Sequence, residues 1–279
     1  MLLLKSPTVL PGFRLSLGIS VLTLSLLVLL PFAMLMWTVS GMGWRGFIDT
    51  IAEPRTLAAV WLTLKVSFYA MLANVLFGTL VAWVLVRYDF WGKSGVNALV
   101  DLPFALPTAV TGIALATLYA PNGWLGQWLV PFGIKVAFTP LGIWVALVVV
   151  SLPFVVRSVQ PVLEALSPEY EEAAATLGAP RFTVWRRVLL PEILPALVTG
   201  AGMAFARATG EYGSVIFIAG NIPMQSEILP LIIAGKFELF DIQGAAAVAL
   251  FMLLISFAIL FLLNAWQWHL SRRALGAAR

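Results

Sequence analysis

The sequence contains no cysteine and only one histidine, His269, in 279 residues. Without cysteine the chain cannot form disulfides, thiolate nucleophiles, iron–sulfur clusters or zinc–thiolate sites. A lone histidine cannot build a histidine metal site either. We therefore expect no metal and no cofactor, and we interpret His269 as an interfacial or solvated residue.

Charged residues are scarce as well. They make up 11% of the chain, whereas hydrophobic residues make up 61%, and soluble domains have roughly 25% charged residues. Charges this scarce cannot cover the surface of a soluble protein of this length. Most of the surface must therefore face lipid. The net charge of +4 does not indicate nucleic-acid binding, because the basic residues lie between apolar runs rather than on one patch.

Six stretches are apolar enough to cross a membrane, which takes about 20 residues for a helix. The first, Leu15–Trp37, is 23 residues long, whereas the apolar part of a signal peptide has roughly 7–15, so we expect it to be retained. The sequence predicts an all-α, polytopic membrane protein in which residues 1–279 form one transmembrane domain. The other five stretches are Trp61–Val86, Leu102–Ala120, Pro140–Val156, Ile193–Ala219 and Gly244–Trp266.

The distribution of lysine and arginine predicts the orientation of the chain. With the N-terminus in the cytoplasm, eleven basic residues lie on the cytoplasmic side and five on the other. Cytoplasmic loops carry such an excess, and six helices place both termini on one side, so we expect both termini in the cytoplasm. The cytoplasmic group is Lys5, Arg14, Arg87, Lys93, Arg157, Arg181, Arg186, Arg187, Arg272, Arg273 and Arg279; the outer group is Arg45, Arg55, Lys65, Lys135 and Lys236.

The most informative loop is the segment of residues 157–191, between the fourth and fifth spans. Ser167 can cap a helix that Pro168 begins, and the glutamates that follow suit the positive end of the helix dipole. Gly178 is placed to end this helix, and a second helix is predicted from about Pro180 to Leu190. A helix, a glycine turn and a helix outside the membrane suit docking into a groove on a partner.

This segment resembles the EAA signature of bacterial ABC importer permeases, which reads Glu-Ala-Ala, three residues, Gly, nine residues, Ile, one residue, Leu-Pro. The resemblance implies a coupling helix that rests on an ATPase subunit and converts nucleotide-driven closure into rocking of the spanning helices. The alternative is an amphipathic helix that covers the membrane surface, which does not explain the glycine break. The matching residues, among which only Val188 departs from the signature, are Glu172, Ala173, Ala174, Gly178, Val188, Leu190 and Pro191.

Three further stretches resemble the T subunit of sulfate/thiosulfate permeases: Asp101–Leu115, Ser151–Leu163 and Gly210–Asn221. The resemblance covers nearly all of the chain and implies ATP-driven import of sulfate or thiosulfate across a bacterial inner membrane. It also implies partners, namely a second homologous permease, two copies of a cytoplasmic ABC ATPase and a periplasmic sulfate/thiosulfate-binding protein. Molybdate permeases are close in pattern, and neither spacing nor composition separates these anions.

Candidate residues of a translocation path lie in the third and fifth spans. Pro103 and Pro107 either bend a pore-lining helix or simply begin a helix. Arg207 and Glu211 are four residues apart and can pair, and the rise of the helix predicts Arg207 near the middle of the bilayer. Arg207 either contributes positive potential to an anion path, with Glu211 and Gly210 beside it, or forms a buried structural ion pair.

Neither a nucleotide site nor a catalytic site is predicted. Residues 92–94 (Gly-Lys-Ser) imitate the end of a phosphate-binding loop, but the required earlier glycine is replaced by Arg87. We interpret them as a cytoplasmic turn, so ATP hydrolysis must come from a partner. A membrane-embedded enzyme that uses Asp101, Arg207 and Glu211 is a distant alternative, since no nucleophile with a base and an orienting group is visible.

Overall fold

The computed structural model describes the backbone of residues 13–277, and the side chains in that range apart from those at 14, 263, 264 and 266–277. Within it every regular element is helical. Lys5 and Arg279, and the side chains of Arg14, His269, Arg272 and Arg273, fall outside the described residues. The α-helices are α1 (Phe13–Leu24), α2 (Leu30–Ser40), α3 (Gly43–Ala52), α4 (Pro54–Arg87), α5 (Lys93–Ala105), α6 (Thr108–Tyr119), α7 (Gly126–Leu129), α8 (Pro140–Ala165), α9 (Glu169–Thr176), α10 (Arg181–Val184), α11 (Leu190–Thr209), α12 (Val215–Ile218), α13 (Leu229–Glu238) and α14 (Ile242–Ala277). Two π-helical turns, Ser25–Leu29 and Trp185–Leu189, join α1 to α2 and α10 to α11, and a 3₁₀ turn, Val130–Phe132, follows α7.

Five helical runs among the described residues are long and apolar enough to cross a membrane, and one bent pair of helices makes a sixth. The prediction of an all-α chain with about six spans is therefore confirmed, with corrections to the third and fifth spans. The five runs are Leu15–Ser40, Pro54–Arg87, Pro140–Ala165, Arg181–Thr209 and Ile242–Leu262, and the bent pair is Lys93–Ala105 with Thr108–Tyr119.

The third span is not the single helix predicted over Leu102–Ala120. It consists of α5 and α6, which meet at an angle of 112°. Leu106 has extended backbone angles, φ −81° and ψ 137°, because the ring of Pro107 disfavours helical geometry in the residue before it. The proline bend is thus present at Pro107, whereas Pro103 lies inside α5 and does not begin a helix.

The fifth span was predicted as one helix over Ile193–Ala219, and its second half is wrong. α11 ends at Thr209, and the chain passes through Gly210 before the short α12. The carboxylate of Glu211 accepts hydrogen bonds from the backbone N–H of Ser214 at 2.8 Å and from its hydroxyl at 3.0 Å. These bonds compete with helical ones, and glycine is the poorest ordinary helix former, so the helix stops here.

The core of the bundle is formed by α4, α8 and α11, which pack against one another over much of their length. Small residues allow this close packing. A Cβ at Gly78 of α4 would lie 3.0 Å from the Val155 side chain of α8, and one at Gly200 of α11 would lie 3.0 Å from the Val155 Cα. Between α4 and α8, buried Asn74 donates a hydrogen bond to Ser151 at 2.8 Å, which holds the two helices in register.

The two ends of the bundle are named here by α4, whose first turn carries Arg55 and whose last residue is Arg87. At the Arg55 end, the guanidinium of Arg55 donates to both carboxylate oxygens of Glu227, at 2.7 and 2.6 Å. The backbone N–H of Leu229 donates to the hydroxyl of Thr63 at 2.9 Å. These contacts hold the start of α13 against α4.

Asp241 begins the last span as its N-terminal cap. Its carboxylate accepts a hydrogen bond from the backbone N–H of Gly244 at 2.9 Å, and the ammonium of Lys236 lies 3.2 Å away. The bond from Gly244 and the charge of Lys236 lower the pKa of Asp241. The carboxylate therefore stays ionised at neutral pH and satisfies a free N–H at the start of α14.

Candidate functional site

The hairpin of residues 167–189, at the Arg87 end, has the predicted order of helix, glycine turn and helix. Ser167 accepts a hydrogen bond from the N–H of Glu169 at 3.3 Å at the start of α9. At its end Gly178 has φ +75°, and its N–H donates to the Ala175 carbonyl at 2.9 Å while the next N–H donates to the Ala174 carbonyl at 3.1 Å. This pair of bonds is the Schellman motif, which requires the left-handed conformation that glycine adopts without strain.

The second helix of the hairpin does not end at Leu190, as the sequence had indicated. It continues without a break through α10, the π-helical turn and α11, so that one helical run extends over Arg181–Thr209. Pro191 has no N–H to donate, and the wider π turn before it makes room for the proline ring. The second helix of the hairpin and the fifth span therefore form one continuous helix.

The motif residues of the hairpin differ in their exposure. The hairpin also exposes large apolar side chains, with Leu177 87%, Phe182 70% and Tyr170 60% exposed. So much apolar surface on a polar segment is typical of a docking site for another protein. Of the residues in the signature, Glu172, Ala173, Gly178 and Pro191 are exposed, and Ala174, Val188 and Leu190 are half-buried.

A groove of about 990 Å³ separates the hairpin from the second half of α4. Leu80 and Trp83 of α4 lie on one side of it, and Phe182 and Trp185 of the hairpin lie on the other. The hairpin thus stands away from α4 along this groove.

Two helix elbows lie next to each other in the bundle, and they bring together the candidate path residues of the third and fifth spans. The first elbow is Leu106–Pro107, and the second is residues 210–213. A Cβ at Gly112 of α6 would lie 2.7 Å from the Ser214 Cα, and Gly213 lies directly against the Thr108 side chain. Pro107 and Gly210 are both exposed, so this double elbow forms part of the open surface of the single chain.

The ion pair of Arg207 and Glu211 lies at the second elbow rather than in the middle of a helix. Arg207 is in the last turn of α11, and Glu211 follows the end of that helix. The two side chains form a salt bridge in which Glu211 is 2% exposed and Arg207 31% exposed. Glu211 therefore shapes the elbow through its bonds to Ser214 and to Arg207, while Arg207 presents part of its positive charge at the surface.

Asp101, the third residue of the enzyme alternative, belongs to a different cluster. Arg157 of α8 binds its carboxylate through two hydrogen bonds, at 2.7 and 2.5 Å. The guanidinium also donates to the Asn97 side chain and carbonyl and to Gln160, so all five of its N–H groups are used. Asp101 thus serves to clamp α5 to α8 and is not placed with Arg207 and Glu211 in one catalytic set.

Sequence reasoning missed this clamp and the ion pair between Arg87 and Glu171, because their members are far apart in the chain. The sequence shows Arg157 and Asp101 only as separate charged residues. The one signal that they have partners is that a charged group near an apolar span is costly unless it is paired.

Substituting Gly112 by alanine is expected to destabilise the protein. The new Cβ would meet the Ser214 backbone below 3.0 Å, and overpacking of this kind costs about 1–3 kcal/mol. Gly235→Ala is the matched control, since nothing lies within 4 Å of a Cβ there and alanine favours a helix by about 0.5–1 kcal/mol. Thermal unfolding in detergent should show a lower midpoint for Gly112→Ala only; equal midpoints for both variants would contradict the close packing of the elbows.

Residues 74–276 match the family described as the binding-protein-dependent transport system inner membrane component. The chain is 49% identical over 276 residues to the sulfate transport system permease protein CysT of Salmonella typhimurium, covering 99% of this chain and 100% of that protein. It is also 44% identical over 249 residues to the sulfate transport system permease protein CysT of Synechocystis, covering 89% and 87% of the two chains.

Solved structures with the same fold are more distant in sequence. A chain of a bacterial ABC transporter involved in the import of alginate superposes with a TM-score of 0.76 at 14% identity, covering 92% of this chain and 96% of that one. A chain of the MetNI methionine ABC transporter gives a TM-score of 0.56 at 21% identity, covering 77% and 95%. These likenesses concern the fold alone.

Proposed function

We infer that this chain, which belongs to the binding-protein-dependent transport system inner membrane components, is the membrane-spanning permease subunit of an ATP-driven sulfate importer. The observation that carries this inference is the identity of 49% along the whole chain to permeases named for sulfate transport. An exposed hairpin with the coupling signature and a bundle with two adjacent elbows are the parts that such a subunit needs.

The hairpin is the surface on which the ATPase subunit would act. Its exposed residues Glu172 and Ala173 and the apolar side chains around the glycine turn would fill a groove of the partner. Because the second helix of the hairpin continues into α11, closure of the ATPase would tilt α11 and move the elbow at its far end. The charge distribution supports a cytoplasmic hairpin, and both termini would lie on the same side.

A second permease subunit would complete the translocation path. The double elbow is exposed on the single chain, so a path along it needs another wall. The first span supports this assembly, since none of its most apolar 18-residue window is buried and only α2 packs on the bundle, against α14 and α3. A periplasmic binding protein would deliver the anion at the Arg55 end.

Arg207 is the candidate contact for a passing anion. Its side chain is 31% exposed at the elbow, and arginine suits tetrahedral oxyanions because its N–H groups donate two parallel hydrogen bonds. Glu211 balances the charge, so a dianion would be attracted but not held tightly. Sulfate and thiosulfate fit this site, and the related dianion molybdate is the alternative.

The proposal is tested with the complex reconstituted in liposomes, comprising this chain, its sister permease, the ATPase and the binding protein. Sulfate is expected to stimulate ATP hydrolysis and to accumulate in the vesicles, and thiosulfate to do the same. This chain without the ATPase should hydrolyse no ATP. Gly92 is the left-handed cap of α5 and Lys93 and Ser94 form its first turn, so these residues do not form a phosphate-binding loop. Stimulation by molybdate but not by sulfate would favour the alternative, and turnover by the isolated chain would overturn the proposal.

A further inference from the structure

The hairpin is tied to the bundle at a point outside its motif, through Arg87 and Glu171. Glu171 lies in the first turn of α9, and Arg87 is the last residue of α4. The Nε atom of Arg87 lies 2.9 Å from Oε1 of Glu171. This ion pair, which we call the strut, joins α4 to α9, and Glu171 also lines the groove.

The arginine of the strut contacts a third element as well. Its Nη2 donates a hydrogen bond to the carbonyl of Leu166 at 3.2 Å, and Leu166 caps the C-terminus of α8. The guanidinium also lies 5.8 Å from the centre of the Trp83 ring, within the range of a cation–π contact. One side chain thus connects α4, α8 and α9, which no residue of the recognised motif does.

The surroundings of the strut distinguish it from an ordinary surface ion pair. The Arg87 side chain is 13% exposed and that of Glu171 27%. Lys93 and Asp89 form a pair at the same end of the bundle, 2.7 Å apart, but Asp89 is 98% exposed. Water and salt weaken the exposed pair, whereas the strut is largely shielded from both.

The chain connects α9 to two core helices but not to α4. Before α9, a linker of residues 166–168 joins it to α8, and after α9 the Gly178 turn leads through α10 and the π-helical turn to α11. Without the strut, a force on α9 would reach α4 only indirectly, through the packing of α8 and α11 against it.

Resting on the function proposed above, we propose that the strut makes α4 follow the hairpin, so that α4 and α11 move together during the ATPase cycle. The elbow region is built on both helices, since Val66 and Ala70 of α4 share a buried cluster with Ala208 of α11 and Val215 of α12. Moving α11 alone would shear this cluster, whereas moving both helices would shift the elbow as a unit. Arg87 and Glu171 are thus positioning residues for coupling and need not touch the anion or the nucleotide.

The test measures ATP hydrolysed per sulfate imported by the complete complex in liposomes. Arg87→Gln and Glu171→Gln should each raise this ratio about tenfold, because each leaves one charge of a largely shielded ion pair without its partner. Arg87→Lys, which keeps the charge, should restore part of the coupling. Asp89→Asn and Lys93→Gln, the exposed pair at the same end, are the controls and should leave the ratio unchanged.

A second measurement uses the absence of cysteine from this chain. Arg87→Cys with Glu171→Cys removes the strut, and a short bismaleimide then replaces it covalently, with the other subunits freed of cysteine. Bridging should lower the raised ratio towards that of the unchanged complex.

The outcomes separate the strut from the proposed function. An unchanged ratio in the glutamine variants overturns the proposal for the strut. A parallel fall of uptake and hydrolysis that bridging does not reverse also overturns it, because the pair would then serve assembly only. An equal rise in the exposed-pair controls overturns it too. If the unchanged complex imports no sulfate, it is the proposed function that fails.

Discussion

Replacing Arg207 by glutamine is expected to lower sulfate uptake by the reconstituted complex at least about tenfold, a factor that corresponds to 1.4 kcal/mol. The physical reason is twofold. The variant removes the positive charge at the elbow, and it leaves the carboxylate of Glu211, which is 2% exposed, without its partner. Breaking a buried pair in this way costs about 3–5 kcal/mol, so the thermal unfolding midpoint should fall as well.

The double variant Arg207→Gln with Glu211→Gln separates these two effects. It removes the unpaired charge, so stability should return, while uptake should stay low if Arg207 contacts the anion. Arg55 and Glu227 provide a matched control, since Glu227 is also 2% exposed. There the single change Arg55→Gln should destabilise, and Arg55→Gln with Glu227→Gln should restore both stability and uptake. Recovery of uptake in both double variants would make the Arg207 pair purely structural.

Reversing the charge of Glu172 should abolish ATP-driven uptake while the chain still inserts and folds. Glu172 is exposed on α9 and forms no salt bridge among the described residues, so Glu172→Arg should not disturb the subunit itself. At a docked interface a like-charge contact costs several kcal/mol, and binding to the ATPase should weaken by roughly a hundredfold. Co-purification of the ATPase and sulfate uptake are the two measurements.

Glu164→Arg is the matched control, because Glu164 is an exposed glutamate at the end of α8, outside the motif. It should retain both the ATPase and uptake. Sidedness can be checked in the same experiment, since the only thiol in a Glu172→Cys variant of this chain is the introduced one. Labelling of that thiol from the periplasmic side would remove the basis of the coupling proposal.

Several features could be predicted from the sequence because they depend on neighbours in the chain. The turn at Gly178 follows from the strong helix formers before it and from the left-handed conformation that glycine itself adopts at the end of a helix. The number of spans follows from runs of apolar residues that a bilayer requires. The break at Pro107 also has a local cause, yet the sequence alone left open whether the prolines bend the helix or begin it.

Other features depended on contacts that a linear pattern does not contain. The fifth span looks continuous in its apolar residues, and it ends at Thr209 because Glu211 bonds to Ser214. In the sequence Pro191 indicates the start of a new helix, but the π turn before it lets the preceding helix continue. In both cases the residue is visible in the sequence, but its surroundings in the folded chain decide whether the helix ends or continues.

By itself the amino-acid sequence determined that the protein spans a bilayer, how its basic residues are distributed among the loops, and that a hairpin with a glycine turn lies between the fourth and fifth spans. The reason is that apolar runs, charge bias and turn residues act over a few residues or through the solvent. Only the tertiary structure decided which charges pair, as with Arg87 and Glu171, and that the segments next to the two elbows touch at Gly112 and Ser214. Such pairings join positions dozens of residues apart, and close packing of several helices at once selects them.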